Sequence, residues 1–225
     1  FLRAAVAAPA AGAVFSRFMS RVAAGADKRH AASLANLRPT TDQTTGLDLL
    51  QLPEGFRYSS FGWTGERMTD GRKTPPLHDG MAVIGSDGPI VTLCRNHEIT
   101  GSTPIGAPEI SYDAKAGAGC TSLTFDTEAG KWLGARSSLS GTVRNCAGGP
   151  TPWGSWLSCE ETTLGPGDDV KGIPVPFEKT HGWIFEVPAK NAATAVPLKA
   201  MGRFVHEAVA VDPETGFVYE TEDRS

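Results

Sequence analysis

From Gln51 onward the chain alternates short apolar runs with clusters of turn residues. The runs are four to eight residues long and rich in Val, Ile, Phe, Trp and Thr, residues that favour a pleated, half-buried backbone. They predict strands over residues 56–61, 81–84, 90–95, 121–125, 131–138, 155–159, 182–187, 204–211 and 217–221. No stretch in this part carries apolar residues at helical spacing. One local pattern occurs twice, as Phe125-Asp126-Thr127-Glu128-Ala129-Gly130 and Val211-Asp212-Pro213-Glu214-Thr215-Gly216. An Asp bonds the turn amides and a Gly supplies the positive φ before the next strand. Asp126 and Asp212 lie two units of roughly 43 residues apart, close to the roughly 40–50 residues of a propeller blade. Generic hairpin chemistry gives the same pattern. The expected fold is therefore all-β, with residues 51–225 forming a partial β-propeller in which about four blades fit.

The part before Gln51 differs in texture. Residues 4–15 are almost without polar groups, and Ala24-Gly25-Ala26 is a small-x-small cleavage pattern before Asp27. This reads as the remnant of an export signal over residues 1–26, too short and alanine-rich for a stable membrane anchor. Phe1-Leu2-Arg3 resembles the tail of a twin-arginine export motif. An amphipathic helix packed on the domain is the other reading. Residues 27–50 are polar and Thr-rich and are expected to be a linker. The chain stops at a strand exit, so the propeller is expected to be incomplete, with N-terminal blades only.

The composition is 40% hydrophobic and 20% charged, that of an ordinary globular protein. Its 26 Gly and 16 Pro fit a fold with many tight turns. A net charge of −4 argues against a nucleic-acid partner or an anionic membrane. Cys94, Cys120, Cys146 and Cys159 include no CxxC pair, so a thiolate zinc site has no support. They either form two disulfides, in one of three pairings, or pack as small buried residues.

The chemistry lies at the strand ends. Four predicted strands run into acids: Arg95-Asn96-His97-Glu98, Cys159-Glu160-Glu161, His206-Glu207 and Glu220-Thr221-Glu222-Asp223-Arg224. Each Glu alone reads as solvated, His97 and His206 as structural histidines, and Arg95 and Arg224 as surface charges. Blades arranged radially bring equivalent strand ends together. Carboxylates gathered there repel unless cations neutralise them, and oxygen-rich sites suit hard cations such as Ca²⁺, with Fe³⁺ a second choice. Between two of these strands, residues 141–154 combine Gly, Pro, Asn and Cys, and read as a loop that brings amides and the Cys146 thiol to a ligand.

The run from Asn145-Cys146-Ala147-Gly148-Gly149-Pro150 through Trp153-Gly154-Ser155-Trp156-Leu157-Ser158-Cys159-Glu160-Glu161 closely resembles the central signature of the PhoX-type alkaline phosphatase family. Arg203-Phe204-Val205-His206-Glu207-Ala208 and Thr221-Glu222-Asp223-Arg224-Ser225 resemble its later motifs, and Leu52-Pro53-Glu54-Gly55-Phe56 and Arg95-Asn96-His97-Glu98 its early ones. The resemblance implies a β-propeller enzyme that hydrolyses small phosphate monoesters. It implies calcium and iron (Ca²⁺ and Fe³⁺) bridged by an oxo group, and export by the twin-arginine machinery to the periplasm or beyond. Matched motif to motif, it implies Cys146 as the iron-bound thiolate and Glu207 as an iron or calcium ligand, both catalytic. Glu98, Glu160 and Glu222 are the further expected metal ligands. The residues alone leave two rivals open: another calcium-dependent propeller hydrolase acting on diesters or lactones, and a non-catalytic calcium-binding propeller.

Overall fold

The computed structural model of the protein describes residues 36–224. The expected export segment lies outside the described residues. All regular structure among them is β-strand, apart from single 3-10 turns at Pro108–Ile110 and Lys199–Met201. No helix among them is long and apolar enough to cross a membrane.

The chain divides into two compact units, with the boundary between Phe61 and Gly62. In the first unit, β1 (Arg38–Thr41) and β2 (Asp48–Leu52) form an antiparallel hairpin. Asp42 closes its turn by accepting from the amides of Thr44 and Thr45, both at 3.2 Å, and from Ser60 N at 2.9 Å. Part of the expected linker is thus a strand pair. Residues 56–61, expected as a strand, carry none.

In the second unit, β3 (His78–Asp87), β4 (Ile90–His97), β5 (Ala118–Asp126) and β6 (Lys131–Thr142) form a four-stranded antiparallel sheet in chain order. β7 (Asn145–Pro150) and β8 (Ser155–Glu160) follow; after an exposed hairpin of β9 (Asp169–Val170) and β10 (Ile173–Pro174), β11 (Ile184–Pro188) completes a sheet ordered β11-β8-β7. β12 (His206–Val211) and β13 (Val218–Glu222) form a last pair. Residues 141–154, expected as a loop, therefore contain the end of β6 and all of β7.

Both copies of the Asp-x-Glu-x-Gly pattern are hairpin turns. Asp126 Oδ1 accepts from the amides of Glu128 and Ala129 at 3.0 and 2.9 Å, between β5 and β6. Asp212 Oδ1 accepts from Glu214 N at 3.0 Å, between β12 and β13. Gly130 and Gly216 take the left-handed conformation that closes each turn, with φ of 60° and 71°.

β8 and β11 bury both faces because their side chains alternate. Trp156, Phe185 and Val187 pack against Ile84, Cys94, Cys120 and Leu139 of the four-stranded sheet. Leu157, Cys159 and Ile184 pack with Val209, against Val211 and Val218 of the last pair. Each such aliphatic or aromatic side chain contributes roughly 1.5–3 kcal/mol by leaving water. The middle sheet thereby holds its two neighbours in place. All four cysteines are free, buried thiols; Cys94 and Cys120 lie in the first of these clusters and Cys159 in the second.

His97, at the end of β4, is fully buried. Its Nδ1 lies 2.9 Å from Pro76 O and its Nε2 2.9 Å from Thr121 Oγ1, a set that a neutral ring satisfies on both sides. Burial pushes its pKa down to about 3; Arg95 and His78 push the same way, against the Pro76 carbonyl. An unfolded histidine titrates near ~6.5, so between there and about 3 the unfolded chain binds the extra proton. Stability contributed by neutral His97 is thus present above pH ~6.5 and lost as the solution is acidified, by at most ~1.4 kcal/mol for each pH step of one. The urea midpoint should drop from pH 6.5 to 4.5 in the wild type, and by clearly less in His97→Gln. Parallel profiles would show that His97 does not carry this dependence.

Candidate metal centre

The centre forms on β7, which is squeezed between two neighbours. A Cβ on Gly80 of β3 would stand 2.8 Å from Ala147 Cα and 2.9 Å from Cys146 O. A Cβ on Gly149 would stand 1.9 Å from Val209 O of β12. The glycines of this segment are there so that three strands from three successive sheets can lie side by side. Asn96 of β4 then pins the strand: its Nδ2 donates to Cys146 O at 3.2 Å and Ala147 O at 2.7 Å. Its Oδ1 accepts from Trp156 Nε1 at 3.0 Å and Ser158 Oγ at 2.9 Å, so a fully buried amide is satisfied at both ends.

Arg144 makes the corner between β6 and β7 with φ at +50°, a conformation that costs a non-glycine residue about 1–3 kcal/mol. The corner is held by two backbone bonds, Arg144 N to Ile99 O at 2.9 Å and Glu161 N to Arg144 O at 3.0 Å. It places the guanidinium between two acids: Nη2 is 3.0 Å from Glu161 Oε2, and Nε is 3.4 Å from Glu98 Oε1.

Next to that corner, donor atoms of Cys146, Glu161 and Glu207 all lie within 4.8 Å of one another. Cys146 Sγ sits 3.7 Å from Glu207 Oε2 and 3.5 Å from His206 O. Burial pushes the thiol up to about 12, with Glu207, Glu161 and Asp79 adding to the rise against one backbone hydrogen bond. Burial also raises Glu161; Arg144 opposes this, while Glu98, Glu207 and Asp223 add to it. Asp79 is raised by burial and by Glu98. Each of these negative groups thus makes its neighbours harder to ionise.

Of the residues expected as ligands, Cys146 and Glu207 meet directly, and Glu98 joins them through Arg144. Glu160 does not. It is the last residue of β8 and points the other way from Glu161, into a closed pocket. There its carboxylate accepts from the amides of Val143 at 2.9 Å, Gly182 at 2.8 Å and Trp183 at 3.1 Å, and lies 2.6 Å from His181 Nδ1. His181 Nε2 is 3.3 Å from Asp113 Oδ2 on its other side. Every lone pair of Glu160 is committed to the fold, and it is Glu161 that lies with Cys146 and Glu207. Glu222 is exposed and stands opposite His206 in the strand register, apart from the three clustered donors. Glu220 points inward instead, with Oε2 3.1 Å from His206 Nδ1. Arg95, expected on the surface, is buried. Glu161, Asp79, Asp223 and Arg144 were not among the expected site residues. Strand alternation separates Glu160 from Glu161, but the face that matters is set by β12.

The donor set fits metal ions. A buried thiol with a strongly raised pKa, surrounded by carboxylates that raise one another, is an arrangement that a multivalent cation relieves. A thiolate suits iron, and carboxylate oxygens suit calcium.

Fold and site together define an all-β protein with a thiol–carboxylate centre at the meeting of three sheets. The family model described as alkaline phosphatase PhoX matches this chain over residues 35–139 and 134–225. The chain belongs to the PhoX alkaline phosphatase family. Neither the curated proteins nor the solved structures yielded a match. Family membership supports phosphatase chemistry in general, and the family is metal-dependent.

Proposed function

We propose that the intact protein is an exported phosphomonoesterase that uses Fe³⁺ and Ca²⁺ held at the Cys146 centre to release phosphate for scavenging. The observation that carries this reading is the convergence of Cys146, Glu161 and Glu207 within 4.8 Å, in a chain of a phosphatase family. The Cys146 thiolate and Glu207 would hold iron; Glu161, with Glu98 and Asp79 beside it, would hold calcium. When bound, such ions supply Lewis-acid charge against the oxygens of a phosphate ester.

The chain's own residues do the rest. Cys146 must give up its proton on metal loading, so affinity rises with pH below about 12. Asn96 and the glycines of β7 hold the backbone that carries Cys146 before any ion arrives, which lowers the cost of assembling the site. Arg144, with its side chain 40% exposed, holds Glu98 and Glu161 at the rim.

The propeller belongs to this proposal. The first strands of three successive antiparallel sheets, β3, β7 and β12, lie side by side, the relation of innermost strands around a propeller axis. Twin-arginine export to the periplasm or beyond is proposed with it, on the residues 1–26 pattern.

Side-by-side assays separate this reading from its rivals. The intact, metal-loaded protein should hydrolyse p-nitrophenyl phosphate faster than bis-p-nitrophenyl phosphate or a lactone. A preference for the diester or the lactone would assign it to another hydrolase class. Metal binding without turnover of any of the three would leave a binding propeller.

A further inference from the structure

The left-handed conformation is taken by glycine at Gly130, Gly141 and Gly216, whereas residue 144 takes it with a full arginine side chain in place. Strain of this kind persists where the residue has a task. The corner itself does not need the side chain. Both bonds that hold it, Arg144 N to Ile99 O and Glu161 N to Arg144 O, are made by the backbone.

What the side chain supplies is charge. Its Nη2 donates to Glu161 Oε2 at 3.0 Å, and its Nε lies 3.4 Å from Glu98 Oε1. Acids surround this contact: Glu98, Glu207 and Asp223 act on Glu161, and Glu207, Glu161 and Asp79 act on the Cys146 thiol. Arg144 acts on Glu161 in the opposite sense. A guanidinium cannot be deprotonated in a protein, so it is a fixed cation set among carboxylates that otherwise repel one another.

Glu98 and Glu161 are also the acids assigned above to calcium, so ion and guanidinium compete for the same two carboxylates. A divalent ion held by both would stand beside the guanidinium, and like charges at contact distance repel. Arg144 has a way out. Its side chain is 40% exposed, and its side-chain hydrogen bonds go to those two acids. The guanidinium can swing into solvent while the backbone corner stays closed.

We propose that Arg144 is a built-in stand-in for calcium, its guanidinium neutralising Glu98 and Glu161 in the metal-free protein and giving way when the ion binds. The proposal rests on the reading that the Cys146 centre takes up calcium. It predicts an effect opposite in sign to that of a residue that only positions ligands: loss of the guanidinium strengthens calcium binding.

The test is calorimetric titration of calcium chloride into the intact protein stripped of metal. Arg144→Gln should bind calcium about tenfold more tightly than the wild type, a size usual for coupling between two sites. Arg144→Lys, which keeps the charge, should bind more weakly than Arg144→Gln. Metal-free Arg144→Gln should also unfold at lower urea than the metal-free wild type, and saturating calcium should close that gap. Equal or weaker calcium binding by Arg144→Gln overturns the stand-in role while leaving the calcium reading in place. Failure of both wild type and variant to bind calcium overturns the two together. If Arg144→Gln does not fold, crystals of the calcium-loaded wild type decide. A guanidinium withdrawn from either acid supports the exchange, and one still bonded to both Glu98 and Glu161 overturns it.

Discussion

Cys146→Ala in the intact protein loses its iron, and its phosphomonoesterase turnover falls at least ~100-fold, while the fold survives. The magnitude follows from what the sulfur does. Loss of groups that merely orient a metal's ligands costs ~10–100-fold in affinity or activity, so loss of a ligand costs no less. The thiol is poised for that role by its surroundings. Burial and three acids raise it to about 12, which leaves it protonated and inert until an ion replaces the proton. Its removal costs little stability, because Asn96 binds the backbone of β7 and not the sulfur. Metal analysis, an ester-hydrolysis assay and a urea titration on one preparation check all three parts. Retained iron and turnover would remove Cys146 from the centre.

The adjacent acids Glu160 and Glu161 should fail in opposite ways. Glu160→Ala strands the amides of Val143, Gly182 and Trp183 and one nitrogen of His181, all facing a closed pocket. It also leaves His181 beside Asp113 alone. Breaking a buried charged network by removing one partner costs about 3–5 kcal/mol, a large part of a domain's stability. Glu161→Gln removes one of several repelling charges and one partly exposed ion pair with Arg144. Exposed pairs contribute about 0–1 kcal/mol, so its stability should change little. Its metal content should fall instead. Urea midpoints and elemental analysis of the two variants check this. Normal stability in Glu160→Ala, or normal metal content in Glu161→Gln, would contradict the assignment.

What the sequence made legible was local. The Asp126 and Asp212 turns could be read because an Asp side chain and a Gly φ act within five residues. The long buried strands could be read from their apolar runs, and the motifs name Cys146 and Glu207, which the fold brings together. What stayed hidden depends on distant neighbours. β7 reads as a loop because Gly148, Gly149 and Pro150 are poor strand formers. They form one because β3 and β12 approach too closely for side chains. β1 and β2 carry no apolar alternation, so their pairing leaves no pattern to read. The choice between Glu160 and Glu161 rests on the Arg144 corner and on His181, 21 residues on from Glu160. Arg95 reads as a surface charge because nothing nearby in the chain reveals that the Trp132 face closes over it.

If the Cys146 centre holds the metal ions that hydrolysis of phosphate monoesters requires, metal content and turnover must rise and fall together. Elemental analysis of the intact, exported protein, paired with a p-nitrophenyl phosphate assay before and after chelation, decides this. Iron and calcium should be present in the protein as isolated, turnover should vanish when a chelator removes them, and it should recover when they are returned. Full turnover in protein shown to be free of both metals would contradict a metal-dependent centre at Cys146.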